Sequence, residues 1–249
     1  MSMYLRLCTE FYDLDKPREP ERAFAFYSKY AAEAAGPILE PMCGSGRFLL
    51  PLLERGFDID GTDASPFMLE ACRKKAAERG LQPNLYQQRL EDTALPRRYA
   101  LVIIPAASFG LVAEERAARQ ALERLKAAML PGAKLVLEME RPTLEKSESW
   151  PWGGRWLRRP DGATLVISWL GHYDADTGIG HNLHRYELFV EGKLVETELE
   201  HFDGRLYEPA RFHALLEAAG FVGVRRFKAH EFVPPGDKDE TVVFECTRP

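Results

Sequence analysis

Apolar and polar positions alternate in blocks along the first 140 residues. Residues 19–35 (EPERAFAFYSKYAAEAA) are rich in Ala and set Phe24, Tyr27 and Tyr30 at helical spacing, which predicts a helix ended by Gly36-Pro37. ILEP (38–41) predicts a short buried strand. GRFLLPLLER (46–55) predicts a helix in which Pro51 lies early enough to bend it rather than forbid it. FDIDGTD (57–63) is a second strand, and Ser65-Pro66 supplies an N-cap and a first-turn proline for a helix to about Gly80. NLYQQ (84–88) is a third strand. ALVIIPA (100–106) is a fourth, nearly all apolar, as in a parallel sheet buried on both faces. Residues 114–129 form an amphipathic helix, and Pro131-Gly132 turns the chain into KLVLEM, a fifth strand. This alternation predicts right-handed βαβ units and an α/β, Rossmann-like doubly wound sheet.

From about residue 140 to 206 the helical period disappears. TLVISWLGHY, HNLHRYELFV and LVETELEHF are strand-like, separated by turn signals at 174–178 and at Glu191-Gly192. In the last run Glu196, Glu198 and Glu200 alternate with Thr197, Leu199 and His201, so one face is wet and the other covered: an antiparallel sheet laid over something. About 65 residues with few core positions are marginal alone. The α/β pattern returns with a helix in YEPARFHALLEAAG and a closing hairpin of FVGVRRFKA and TVVFECT. The expected organisation is a main domain of residues 1–139 and 207–249 with a β subdomain, 140–206, inserted after the fifth strand.

Charge narrows the partners. Thirty-eight acids against 33 Lys and Arg give a net charge of −5, and the arginines cluster in pairs rather than stripes, which argues against nucleic acid. The four cysteines are scattered with no C-x-x-C, so neither a metal site nor a disulfide framework is expected and the chain reads as cytoplasmic. MSMYLRLCTEFYD lacks the apolar run of a signal peptide, and no stretch approaches the roughly 20 apolar residues of a membrane span.

Candidate chemistry centres on LEPMCGSGRF (39–48). Gly44 and Gly46 follow a strand and open a helix, where glycine lets the backbone approach a ligand. A dinucleotide fingerprint wants a third glycine at 49, which is Leu. Asp63 ends the second strand, at the spacing of an acid that hydrogen-bonds a ribose diol in this topology. Glu40 faces the glycine turn, where a pyrophosphate has no use for a carboxylate but an ammonium or sulfonium ligand does. The combination suits a nucleoside joined to an amino acid.

ILEPMCGSGRF, DGTDASPFMLEACRKK, ALVIIPAASFG and LPGAKLVLEME, in that order, resemble the successive motifs of class I S-adenosylmethionine-dependent methyltransferases. The sheet inserted after the fifth strand resembles that of small-molecule N-methyltransferases, including those acting on amino sugars. The resemblance implies S-adenosylmethionine as cofactor, S-adenosylhomocysteine as product, and a small-molecule acceptor, nitrogen rather than oxygen. It implies that Glu40 sits by the methionine end and that Gly44 and Gly46 let the loop approach. Asp63 would hold the ribose, and Ala64 and Met68 would line the adenine beside Pro105. It further implies that Tyr12 lids the methionine moiety and that Arg22 or Arg47 pairs with its carboxylate. Arg89 stands where the family usually has an adenine-binding Asp. Arginine cannot accept a hydrogen bond, so Leu90 backbone or Glu91 would take that part.

The base often found after the fourth strand is absent, since that position is Leu111. The insertion holds all four tryptophans and several histidines, a candidate aromatic wall for the acceptor. His172 and His184, on neighbouring strands, are the candidate bases, and an exposed edge or face of the inserted sheet could support a homodimer. Two rival readings stand beside this one: a non-catalytic S-adenosylmethionine- or S-adenosylhomocysteine-binding protein, and a NAD-type Rossmann dehydrogenase, which Leu49 and Glu40 speak against.

Overall fold

The run ALVIIPA has no polar side chain to leave in water on either face, and it becomes a central strand. The computed structural model describes residues 3–143 and 147–249. In chain order its elements are α1 (Arg6–Asp15), α2 (Glu21–Glu33), β1 (Ile38–Pro41), α3 (Leu49–Glu54), β2 (Ile59–Asp63), α4 (Pro66–Glu78), β3 (Asn84–Gln87), β4 (Tyr99–Ile104), α5 (Glu115–Ala128) and β5 (Met129–Glu140). There follow β6 (Glu148–Arg158), β7 (Thr164–Asp174), β8 (Ile179–Val190), β9 (Lys193–Arg205), α6 (Pro209–Ala218), β10 (Val222–Lys228) and β11 (Thr241–Thr247). One sheet has seven strands in the order β10-β11-β5-β4-β1-β2-β3, and a second has four in the order β6-β7-β8-β9. In the first, β3, β2, β1, β4 and β5 run parallel while β11 is antiparallel to β5 and β10. This is the α/β doubly wound architecture expected from the alternation of periods.

Side chains on the parallel strands part to two cores. Leu39, Val102 and Ile104 pack with α5 and α6, while Ile38, Leu101 and Ile103 pack with α2, α3 and α4. Strand order reverses between β1 and β4, and ligands of open α/β sheets bind outside the carboxyl ends at such a point.

The second sheet is antiparallel throughout. Its first strand, β6, was not predicted because ESWPWGGRWLR holds a proline and two glycines. They are tolerated at the sheet edge and beside a break in register between Trp150 and Gly153. Trp150 stands opposite Gly171 and Trp169 opposite Gly153, each ring lying over the glycine it faces. Trp150 and Trp169 therefore serve the sheet's own packing, while Trp152 and Trp156 are exposed.

The covered face of β9 is the glutamate face, the reverse of what alternating acids suggest. Glu200 is buried, and Leu199 beside it is exposed. The reason is α1, a helix that local sequence gave no reason to expect. It lies on this face, with Leu7, Cys8 and Phe11 packed on Leu165, Ile167, Tyr186 and Phe202. Its N-cap, Leu5, has no side-chain cap, and the glutamates replace one. Leu7 N donates to Glu198 Oε2 at 2.7 Å, Leu5 N to Glu200 Oε1 at 3.2 Å, and the Arg6 guanidinium pairs with Glu196. Helix-start N–H groups thus account for two of these carboxylates, Glu198 and Glu200, and the Arg6 side chain for the third, Glu196.

Candidate active site

A cleft of about 800 Å³ opens at the carboxyl ends of β1, β2 and β4, with β9 and the start of the chain on its other side. After β1 the backbone takes left-handed conformations at Met42, Gly44 and Gly46 (φ 57°, 55° and 85°), so the chain turns sharply into α3. After β4, Ala106 and Ala107 do the same (φ 57° and 53°). Non-glycine residues in that region are uncommon, and two of these three, Met42 and Ala106, border the cleft.

Asp63 clamps the glycine turn. Its Oδ2 accepts from Gly44 N and its Oδ1 from Ser65 N, both at 2.8 Å. Burial raises its carboxyl, and these N–H groups pull the other way. Ser65 caps α4 by accepting from Met68 N at 3.1 Å, and its hydroxyl donates to Tyr4 O at 2.6 Å. Ser45, between the two glycines, donates to Asp13 Oδ1 at 2.5 Å, and Lys75 pairs with the same carboxylate at 2.8 Å. The turn is therefore tied to α1, α4 and β2 at once.

Glu40 is 3% exposed, and its Oε2 has no hydrogen-bond partner. Burial first, then the neighbouring Asp63, pushes its carboxyl well above the usual range. A buried carboxylate oxygen without a partner, in the wall of a cleft, is what a cationic ligand would satisfy. The residues present therefore fit a group that carries an ammonium or sulfonium at this end.

The two glycines differ. Gly44 borders the cleft, with open room on its Cβ side to Met68 Sδ at 3.7 Å. Gly46 does not border it; a Cβ there would meet Cys72 Sγ at 2.6 Å and Leu50 Cγ at 2.8 Å. Its smallness serves helix packing. Leu49, where a dinucleotide turn has glycine, is fully buried against Gly61 of β2, whose Cβ would fall 2.4 Å from Leu49 Cδ1. The small residue that close helix–strand packing needs is on the strand here, not on the helix.

Other expected residues are placed as follows. Tyr12, Arg47, Ala64 and Met68 line the cleft, as do Leu90, Glu91 and Pro105. Burial raises the Tyr12 phenol, with Arg47 opposing. Arg89 also borders the cleft, and its guanidinium is paired with Glu91, donating to Oε1 at 2.6 Å. Arg22 lies away from the cleft, exposed and paired with Glu231 at 2.9 Å.

His172 and His184 are not brought together. His172 stands opposite His181, and His184 opposite Trp169. His172 Nδ1 meets Ser149 Oγ at 3.2 Å on an exposed face, while His184 stacks on Phe202 at 4.7 Å and burial lowers its imidazole. Neither borders the cleft, and none of the four tryptophans does. Side-chain direction alternates along a strand, so a histidine pair could not be assigned a face without the register. The cleft is bordered instead by His201 and Asp203 of β9, and by Met3, Tyr4 and Glu114. His201 was visible in the sequence as part of an alternating strand. Asp13, Ser45 and Tyr4 gave no local signal.

A family model described as a methyltransferase domain matches residues 38–132, which span β1 to the start of β5 and include the glycine turn, Glu40 and Asp63. Over these residues the chain is similar to a methyltransferase domain. A curated relative, the dTDP-3-amino-3,6-dideoxy-alpha-D-glucopyranose N,N-dimethyltransferase of Streptomyces fradiae, is 29% identical over 136 residues, 52% of this chain and 51% of its own length. The chain thus matches about half the length of that relative. The sugar N-methyltransferase KedS8 of Streptoalloteichus sp. ATCC 53650 superposes with a TM-score of 0.78 at 18% identity, covering 100% of this chain and 95% of its own. A S-adenosylmethionine-dependent methyltransferase of Clostridium acetobutylicum ATCC 824 gives 0.76 at 12% identity, covering 96% of each chain. At these identities the solved structures establish the fold of the methyltransferase domain and of the sheet set beside it.

Proposed function

We propose that this protein is a cytoplasmic S-adenosylmethionine-dependent methyltransferase acting on a nitrogen of a small molecule. The observation that carries the reading is the buried, unpartnered Glu40 oxygen at the mouth of a glycine turn that Asp63 holds through Gly44 N. A relative whose name specifies an amino-sugar nitrogen supports the choice of acceptor atom.

S-adenosylmethionine, when bound, supplies a methyl group on a sulfonium centre for in-line displacement. The chain's part is to bind, align and exclude water. Glu40 would meet the ammonium of the methionine end, with Tyr12 and Arg47 over it. Asp63 would accept from the ribose hydroxyls, and Ala64, Met68, Leu90, Glu91 and Pro105 would enclose the adenine. The inserted strands of 140–206 would close the acceptor side through β9. Four buried free cysteines accord with a reducing compartment.

Calorimetry with S-adenosylhomocysteine tests the cofactor reading. The expected result is binding tighter than about 1 mM, and absence of heat at that concentration would sink it. Asp63→Ala should weaken binding by roughly 1–3 kcal/mol, about ten- to hundredfold, through loss of the ribose contact and of the clamp on Gly44. An unchanged affinity would remove Asp63 from the site.

A non-catalytic binding role is the second reading, favoured by one observation: neither histidine expected as a base borders the cleft. Methylated product from an amino-sugar nucleotide with a labelled cofactor would dismiss it.

A further inference from the structure

The wall of the cleft across from the glycine turn comes from β9 and from the residues before α5. Its titratable side chains are Glu114, His201 and Asp203. His201 and Asp203 are two apart on one strand and so project from the same face. Asp203 stands opposite His181 in the β8–β9 register, and its Oδ1 lies 3.0 Å from His181 Nδ1. The two arginines that border the cleft are engaged elsewhere: Arg47 Nε donates to Arg18 O at 3.0 Å, and Arg89 is paired with Glu91. Among the described residues this wall therefore presents carboxylates and an imidazole, with no arginine or lysine against them. Independently, the buried and unpartnered Glu40 oxygen in the same cleft marks it as a place built for a ligand.

We propose that Asp203 and His201 form an acceptor subsite that selects an ammonium group, with His181 positioning the Asp203 carboxylate. This rests on the methyl-transfer reading and gives its acceptor a chemical class: an amine that arrives charged and passes one proton to the His201 imidazole, freeing the lone pair that takes the methyl. A carboxylate makes its strongest hydrogen bonds to charged donors, and an alcohol or phenol would gain little from it. Asp203, fixed at one oxygen by His181, keeps the other for the incoming N–H, and the imidazole of His201 offers a second acceptor on the same face. Leu111, which packs on the core beneath β9 and also borders the cleft, contributes no polar atom and cannot do this.

The acceptor itself need not be known for the test. Sinefungin carries an ammonium-bearing carbon where the cofactor has its methylated sulfur, so it presents a cation at the point of transfer. Calorimetry compares its affinity with that of S-adenosylhomocysteine in the wild-type chain and in variants. The wild type should prefer sinefungin. Asp203→Asn should reduce that preference about three- to tenfold, as expected for one charge-assisted bond at a half-exposed site. His201→Leu should reduce it as well, and His181→Gln by a smaller factor. Affinity for S-adenosylhomocysteine and thermal stability should stay at wild-type values in all three, which separates a subsite from a folding defect. A preference unchanged in both Asp203→Asn and His201→Leu would overturn the proposal, as would a loss confined to Glu114→Gln. Failure of the wild type to bind either compound would overturn the cofactor reading, and this one with it.

Discussion

Gly44 and Gly46 are two residues apart, look equivalent in the sequence, and have different functions. Both have positive φ, but only at Gly46 would a Cβ overlap its neighbours; at Gly44 it would merely touch Met68. Gly44→Ala should therefore cost the left-handed backbone penalty alone, about 1–2 kcal/mol. Gly46→Ala adds the overlap with Cys72 and Leu50 and should cost about 3 kcal/mol or more. Urea unfolding of the two variants checks this; equal losses would show that backbone strain dominates at both. Glu40 and Asp63 were legible as ligand-facing acids because each ends a predicted strand beside the turn. Gly46 was not legible as a packing residue, because what it touches comes from α4, a separate element. Leu49 excluded one ligand class from sequence alone, but its fit against Gly61 is visible only once β2 is set beside α3.

At the scale of elements, the parallel strands and their helices followed from apolar blocks that repeat over short distances. The departures were α1, β6 and the sidedness of β9, and all involve partners far away in the chain. The first turn of α1 is capped by carboxylates more than 190 residues on, which no local capping pattern could reveal. Alternation along β9 marked two faces without telling which is covered, and the covered one carries the glutamates. The cost of covering these acids appears in Glu200. Burial pushes its carboxyl up to about 7 from an ordinary value near 4.5. Around it lie Tyr4 and Cys8 from the α1 side, Tyr186 and His184 of β8, and Glu198 on its own strand. Folded protein then holds a proton that the unfolded chain releases between these two values. The stabilisation is complete below about pH 4.5 and is lost as pH rises through about 7. The slope contributed is at most about 1.4 kcal/mol per pH unit. Glu200→Gln cannot titrate, so relative to wild type it should gain stability from pH 5 to pH 8. Denaturant midpoints at several pH values give the difference, and parallel wild-type and variant curves would reject the assignment.

For the whole molecule, the decisive arrangement is α1 lying between two sheets. One side of it packs on β7, β8 and β9, its end reaches the glycine turn through Asp13–Ser45, and Tyr4 just before it meets the α4 cap Ser65. The methyltransferase domain was legible because four ordered motifs share one topology, whereas the cleft's far wall was not, since it forms where chain segments distant in sequence meet. This arrangement fixes an order of events during synthesis. The ribosome delivers α1 long before β9, and Leu7 must wait for Glu198, 191 residues later. Closing so long a loop is slow relative to local βαβ pairing. Until then α1 has neither its caps nor its apolar bed. Pulse-labelled hydrogen exchange during refolding should thus show α1 amides protected together with those of β9 and after those of β1 and β4; early protection of α1 alone would contradict it. A nascent chain lacking β9 should also expose Leu7 and Phe11, so the half-made protein offers a chaperone a sticky helix that the finished one buries between its sheets.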